Sequence, residues 1–377
     1  MIIYGKKALD TPTIIKAMQD KEKQNIRIKH LQDYYNGKHD IIYRFYEDNT
    51  KPNNRIVVNY CKDIADFLTA YVVGVPVEFE APEVIKKTLA YNDEADELQN
   101  VVHDMVVCGF GCELYYTDED GEARYSNIDP MECIVFMNDD LQGDIVGFVR
   151  MVKRDETLGG YDVTVYTATT EQDFIADEAI STLTPASEQR EHYWGDVPVV
   201  IYKNGDNMQG NFEQVIPMQD ALNKVVSDSV NDWESFVDAY LVLEGMQGTT
   251  PEDIADMKKN RVLLTDPDSK AYWLIKNTNN DRVKTMQDDL RRLILELGNV
   301  PDLQEISGLS TSGEAMKMKL TKTEIQASRL ERVITKGLQR KIELLYKILA
   351  LTNSGMEYTA VKPVFTRNFI MGEGNAE

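Results

Sequence analysis

Pro217–Leu241 reads PMQDALNKVVSDSVNDWESFVDAYL, and its spacing decides how much of the chain is understood. Leu222, Val225, Val226, Val230, Trp233, Phe236, Val237, Tyr240 and Leu241 recur three and four residues apart, the pattern of one buried helical face. Such a helix of roughly 25 residues spans about 40 Å. Its other positions hold Asp220, Asn223, Ser227, Asp228, Asn231, Asp232, Glu234, Ser235 and Asp238, and Lys224 is the only basic residue between Lys203 and Lys258. This polar side is almost purely acidic and neutral.

A second long helix is predicted from Gly313. It carries Lys317, Lys319, Lys322, Arg329, Arg332, Lys336, Arg340, Lys341 and Lys347 against Glu314, Glu324, Glu331 and Glu343. Opposite charge on two helices of one chain suits contacts between neighbouring copies of a ring. The plain alternative is that each charged side is solvated.

At 377 residues the chain can bury a core and hold two or three regions. With 42% apolar and 28% charged residues it reads as globular, not disordered. The start MIIYGKKALD has no apolar signal core, and the longest mostly apolar run, Leu68–Val77, is too short to span a bilayer. Neither secretion nor membrane insertion is expected. Cys61, Cys108, Cys112 and Cys133 are too few and too uneven for a disulfide framework, which suggests a reducing compartment. A net charge of −22 argues against general nucleic-acid binding, which needs basic surface. It fits a conduit whose walls must not hold a passing polyanion, and equally a plain cytosolic protein.

Along the chain, Pro12 opens a helix to about Tyr35, closed by Asn36-Gly37. A polar connection, Glu47–Asn54, leads to a strand-like Arg55–Val58. A helix follows from Asn59 with Ile64, Phe67, Leu68, Tyr71 and Val72 in helical spacing, stopped at Gly74. Another helix runs from about Ala81 to Cys108 with a break near Asn92. Strands are predicted at Glu113–Thr117, Ala123–Asn127, Ile134–Met137, Gly147–Val152, Tyr161–Thr169 and Val199–Tyr202, with a turn at Asp120-Gly121. The fold class is α+β with mainly antiparallel meanders.

Chemical motifs are scarce. No P-loop and no Gly-x-Ser-x-Gly elbow occurs. His103, Cys108, Cys112 and Cys133 form the one candidate metal set. Two glycines separate Cys108 from Cys112, and Cys133 sits in an apolar strand, so buried thiols without a ligand are the simpler reading. The four histidines, His30, His39, His103 and His192, show no nucleophile and base pattern. No cofactor is called for.

Three early blocks and three late ones carry a resemblance. Tyr34-Tyr35-Asn36-Gly37-Lys38-His39, Lys51-Pro52-Asn53-Asn54-Arg55-Ile56-Val57-Val58-Asn59-Tyr60 and Tyr71-Val72-Val73-Gly74-Val75-Pro76-Val77 resemble the N-terminal region of portal proteins from tailed double-stranded-DNA phages of the siphophage type. Gly195-Asp196-Val197-Pro198-Val199-Val200, Ser227-Asp228-Ser229-Val230-Asn231-Asp232 and Ser312-Gly313-Glu314-Ala315-Met316-Lys317 resemble later blocks of that family, in the same order.

The resemblance implies a portal-type fold: an α/β wing over 1–215, stem helix 1 over 216–244, a small α/β clip over 245–280 and stem helix 2 over 281–298. A tunnel loop over 299–312, a long wing helix over 313–350 and a C-terminal wing strand and tail over 351–377 complete it. In the clip, Arg261–Thr265 and Ala271–Lys276 read as strands about Asp266–Ser269. In the second stem helix Val283, Met286, Leu290, Leu293, Ile294 and Leu297 share a face. Thr311 and Glu314 form a capping box for the long helix. Family members generally continue past a strand like Val364–Phe369 into a helical crown, so the crown is expected to be missing or reduced.

By the same resemblance the chain is a non-enzymatic, ring-forming portal, usually a dodecamer. It would sit at one capsid vertex of the virion after assembly in the bacterial host cytoplasm, without membrane contact. Double-stranded DNA would pass Asn299, Asp302, Gln304, Glu305, Ser307 and Ser310 in the tunnel loop and Asp228, Asp232 and Asp238 along the stem. Asp256, Lys258, Lys259, Asp266 and Asp268 in the clip would meet the terminase large subunit and then a head-completion adaptor, and major capsid and scaffolding proteins are further partners. The alternative is a metal-dependent or nucleic-acid-processing enzyme of a mobile element, built on the Cys/His set.

Overall fold

The computed structural model describes residues 1–5, 9–47, 51–139, 143–235, 240–244, 250, 252, 270–274, 280–302, 313–353 and 357–367. Contacts cluster these into two compact units. The first comprises Met1–Lys38, Asn59–Pro217 and Ile294–Glu377, and the second His39–Val58 and Met218–Leu293. Residues 39–58, expected within the 1–215 wing, thus cluster with the helix that follows it in sequence.

The first unit opens with a short strand β1 (Ile2–Tyr4) and helix α1 (Thr11–Tyr35). The Asp10 side chain accepts from the Thr13 amide at 3.0 Å and Pro12 occupies the first turn, a standard helix start. Helix α2 (Tyr60–Val73) is capped by Asn59, whose Oδ1 accepts from the Lys62 amide at 3.0 Å, and it closes at Gly74. Strand β2 (Glu78–Phe79) leads to α3 (Glu83–Tyr91) and α4 (Glu94–Cys108). The expected break falls at Asn92-Asp93, where Asp93 takes a left-handed φ of 50°. Asn92 is buried there and pins the joint to the next hairpin, donating to the Ala123 carbonyl at 2.9 Å and accepting from the Tyr125 amide at 3.2 Å.

Gly109 ends α4 with φ +89°, and a Cβ at that position would lie 1.9 Å from the Met208 carbonyl oxygen. Strands β3 (Phe110–Thr117) and β4 (Ala123–Ile128) then form a hairpin. Next come β5 (Cys133–Met137), β6 (Ile145–Lys153), β7 (Tyr161–Tyr166), β8 (Thr170–Ala176), β9 (Leu183–Pro185), β10 (Arg190–Glu191) and β11 (Val199–Lys203). The larger sheet runs β1-β5-β6-β7-β8-β10 with β9 beside β8, antiparallel except for the β1/β5 pair. Ile14, Ala17 and Met18 of α1 bury against Ile134, Phe136, Val149, Met151 and Val163 of this sheet. Strands β11-β3-β4 form a second sheet, with α4 packed on β3.

The strand expected over Tyr161–Thr169 ends at Tyr166. The Thr167 amide donates to the Thr170 carbonyl at 2.8 Å and their hydroxyls lie 2.8 Å apart, so paired threonines make a turn that no glycine or proline announces.

Helix α5 (Ile216–Ser235) continues into the second unit. The helix expected to reach Leu241 has given way to strand by Tyr240. Strand β12 (Tyr240–Glu244) pairs antiparallel with β13 (Lys270–Leu274), placing Leu241 opposite Trp273 and Val242 opposite Tyr272. Arg261–Thr265 and the turn Asp266–Ser269 lie outside the described residues. Helix α6 (Asn280–Leu297) matches the expected second helix.

Helix α7 (Gly313–Leu349) is the long helix expected from Gly313. It packs on β11 in the first unit. The final strand β14 is only Pro363–Val364, paired with β2; residues 368 and 369 of the predicted strand lie outside the described residues. No described helix is long and apolar enough to cross a membrane.

Candidate functional site

Arg55–Val58 is extended but belongs to no sheet. Its amides are taken instead by a row of α5 side chains four residues apart. Asn54 N–H donates to Asn231 Oδ1 at 2.7 Å, Ile56 N–H to Ser227 Oγ at 2.9 Å and Val58 N–H to Asn223 Oδ1 at 2.9 Å. Gln219 Nε2 donates to the Val58 carbonyl at the end of the row.

The fit is one of periods. Four helical residues advance about 6 Å and two extended residues about 6.6 Å, so alternate amides of the strap meet successive rungs. Gln219, Asn223 and Ser227 are fully buried by this contact. Buried backbone amides must find partners, and a row of uncharged acceptors supplies them without a buried charge.

The expected division of the helix into a buried apolar side and an exposed polar one holds only in part. Asn223 and Ser227, predicted on the polar side, are buried together with Gln219, while Val225, Val226 and Val230 are half-buried. Of the apolar set, Leu222 is buried, whereas Trp233 is 72% exposed. On α6, Ile294 is buried while Met286 is 50% and Leu293 41% exposed. Met286, Leu290 and Leu293 line a groove of about 430 Å³.

Among the predicted channel acids, Asp228 Oδ1 accepts from Arg44 Nη1 at 2.7 Å, and Arg44 Nη2 donates to the Asn54 carbonyl at 2.6 Å. The charge of Asp228 is therefore compensated within the second unit. Asp232 is half-buried. Asp238 lies outside the described residues.

The root of the predicted tunnel loop is held tightly in the first unit. A Cβ on Gly298 would lie 2.6 Å from Ile64 Cδ1. Asn299 has φ 58°, and its carbonyl accepts from the buried Thr323 hydroxyl at 2.8 Å. Asp302 is half-buried. Gln304, Glu305, Ser307, Ser310 and Thr311 lie outside the described residues, as do the clip residues Asp256, Lys258, Lys259, Asp266 and Asp268.

The basic residues of α7 are not uniformly a solvated face. Lys341 is fully buried: Nζ donates to Glu94 Oε2 at 2.6 Å and Glu113 Oε1 at 2.8 Å, and lies 4.2 Å from the Tyr125 ring centroid. Tyr115 and Tyr202 hydroxyls donate to Glu113 Oε2 at 2.7 and 3.0 Å, and the Tyr125 hydroxyl to Glu94 Oε2 at 2.6 Å. Burial works to lower the Lys341 pKa, and Glu113 and Glu94 more than offset it, holding the ammonium above its ordinary range. Burial raises the Glu94 carboxyl, and Lys341 only partly compensates. Arg340 donates to the Val199 and Val197 carbonyls, Lys347 pairs with Asp196 at 2.9 Å and Lys322 with Glu296 at 2.7 Å. Arg367 clasps Glu324 and Glu331 from the C-terminal segment.

Sequence reasoning missed the Glu94, Glu113 and tyrosine network. Its available signal was Glu113 itself, a lone charge inside the apolar strand Phe110–Tyr116. The candidate metal set does not assemble. All four cysteines are buried free thiols, His103 Nδ1 lies 3.8 Å from Asp104, and no group of three or more His, Cys, Asp or Glu among the described residues is arranged to hold an ion.

Comparison with known proteins agrees along almost the whole chain. The profile of the family described as phage portal protein, SPP1 Gp6-like, matches residues 16–374. The portal protein of Bacillus phage SPP1 is 24% identical over 332 residues, covering 82% of this chain and 65% of that protein. The portal protein of Clostridium phage phiCD119 is 22% identical over 391 residues, covering 92% of this chain and 83% of its own length. Among solved structures, a chain in the neck of an empty GTA particle computed with C6 symmetry aligns with a TM-score of 0.48 at 13% identity, covering 80% of this chain and 79% of that one. A chain of the virion of a native gene transfer agent particle aligns at 0.47 and 13%, with the same coverage.

Proposed function

The chain belongs to the SPP1 Gp6-like family of phage portal proteins, and from that premise we propose that its copies close into a ring whose channel passes double-stranded DNA at one capsid vertex. The observation that carries this reading is the exposure of Trp233, Met286 and Leu293 on the two helices of the second unit. Helices that leave apolar residues uncovered in one protomer gain by packing on a neighbour, and a head-to-tail contact repeated by a fixed rotation closes into a ring.

On this reading α5 and α6 are the stem helices, 245–280 the clip, 299–312 the tunnel loop and α7 the long wing helix. Asp232 and Asp238, with Asp228 muted by Arg44, keep the stem from gripping phosphates, and Asn299, Asp302, Gln304, Glu305, Ser307 and Ser310 touch the duplex without a cation to hold it. Asp256, Lys258, Lys259, Asp266 and Asp268 serve as the docking surface for terminase and then for a head-tail adaptor, while capsid and scaffolding proteins meet the wing. The protein is assembled in the host cytoplasm and retained in the virion. Its role is structural, with ATP hydrolysis supplied by the motor that docks on it.

Replacing residues 301–310 with a short glycine linker tests this directly. Rings of normal size that package less DNA per particle are expected; packaging equal to that of the parent chain contradicts the assignment.

A further inference from the structure

A groove of about 810 Å³ in the first unit is bounded by β2, α3 and the start of α4. Val77, Phe79, Leu89 and Leu98 give it apolar walls. Its rim is acidic: Glu78, Asp93 and Asp96 are exposed along it, and the rim lysine, Lys86, already faces Glu83 at 3.8 Å. Glu94 lines the same groove and is only 8% exposed. Its Oε2 is used by Lys341 and Tyr125, but its Oε1 is buried without a hydrogen-bond partner among the described residues.

Two carboxylates and one ammonium leave the buried cluster of Glu94, Glu113 and Lys341 one cation short when both acids are ionised. A buried polar atom without a partner is costly. The groove thus joins apolar walls, an acidic rim and, in its lining, an acid whose second oxygen has no hydrogen-bond partner among the described residues. We propose that this groove is a docking site for a peptide segment of a partner protein that presents a lysine or arginine flanked by apolar side chains, the cation seated over Glu94 and between Asp93 and Asp96. The apolar flanks supply burial against Val77, Phe79 and Leu89, and the cation supplies selectivity, the usual division of labour in a peptide groove. Burial first, and the neighbouring Glu113 after it, raise the Glu94 carboxyl, so a cation brought to the groove would favour its ionised form. The site lies wholly within the first unit and does not depend on ring formation.

The test uses the full chain and blocked, dye-labelled hexapeptides carrying a central lysine between leucines, with norleucine or glutamate replacing the lysine in two controls. Fluorescence anisotropy is expected to give the lysine peptide at least tenfold tighter binding than the norleucine peptide, and weakest binding for glutamate. E94Q removes most of that preference. The exposed pair D93N/D96N, which leaves the buried network untouched, lowers it at least threefold. Equal binding of lysine and norleucine peptides, or a preference unchanged in both variants, overturns the proposal. So does displacement by spermidine at lower concentration than by the lysine peptide, which would assign the groove to a free polyamine. Binding by unassembled chain but not by rings would assign it to a second copy, and at least tenfold tighter binding after removal of residues 368–377 would assign it to the chain's own end. Normal rings with no lysine preference would refute this inference alone.

Discussion

The Val58 amide donates to Asn223 Oδ1 at 2.9 Å, so a helix side chain stands where a neighbouring strand's carbonyl would ordinarily be. The same Asn223 turns its Nδ2 to His39 Nδ1 at 2.8 Å, tying both ends of the 39–58 segment to one buried residue.

Asn223→Ala should therefore destabilise the second unit well beyond ordinary helix propensity. It leaves the Val58 amide and His39 without that partner, a loss of about 1–3 kcal/mol. Ser229→Ala serves as the comparison: Ser229 Oγ donates to the Val225 carbonyl of its own helix at 2.7 Å and accepts a long 3.4 Å bond from Gln287 Nε2, and a change under about 1 kcal/mol is expected there. Urea unfolding followed by hydrogen exchange of the α5 amides measures both.

Lys341→Met should be among the most damaging single changes in the first unit. It strands Glu94 and Glu113 in a buried site, at about 3–5 kcal/mol. The triple variant K341M/E94Q/E113Q should recover most of that loss, since removing all charges together leaves none uncompensated. Chemical denaturation of the parent chain, K341M, E94Q/E113Q and the triple variant gives the coupling directly.

Asp196 should make stability fall in acid. Burial raises its carboxyl, but Lys347, Arg340 and the Val197 amide outweigh burial and hold it below its ordinary value of 3.8. A depressed folded pKa contributes stability that is present above 3.8 and lost as pH falls below it. Asp196→Asn should lower the melting temperature at pH 7 and flatten its decline below pH 4; a parallel decline in both proteins would contradict the assignment.

Gly298→Ala should strain the root of the tunnel loop, because the new Cβ would meet Ile64 Cδ1 at 2.6 Å. Overpacking of this kind costs about 1–3 kcal/mol. Ile64→Val removes the opposing methyl, so the double variant should be more stable than the sum of the two single changes. Thermal melts of the four proteins measure the coupling.

Helix starts and stops were legible in the sequence because they rest on local chemistry: Pro12, Asn59, Gly74 and Cys108 mark real ends. The strands from Cys133 to Tyr166 were legible as short, mostly apolar runs. The Thr167–Thr170 turn was not, since threonine is a strand former and the turn is made by hydroxyl and backbone bonds. The orientation of α5 was hidden for a different reason. Gln219, Asn223, Ser227 and Asn231 look like a solvated polar side, and only their lack of charge hinted that backbone amides would bury them. Lys341 likewise read as surface charge, because its partners Glu94 and Glu113 lie more than two hundred residues away in sequence. Most of the predicted contact residues of the loop and clip fall outside the described chain, so their roles rest on the family.

Ring closure is the central claim, and imaging tests it most directly. Purified full-length protein examined by negative-stain electron microscopy should form annular particles with an open centre, and Trp233→Glu, at a position 72% exposed in the protomer, should abolish them while leaving the melting temperature of the single chain unchanged. A population that stays monomeric at every concentration, salt and temperature tried, with no annulus in any field, would contradict it.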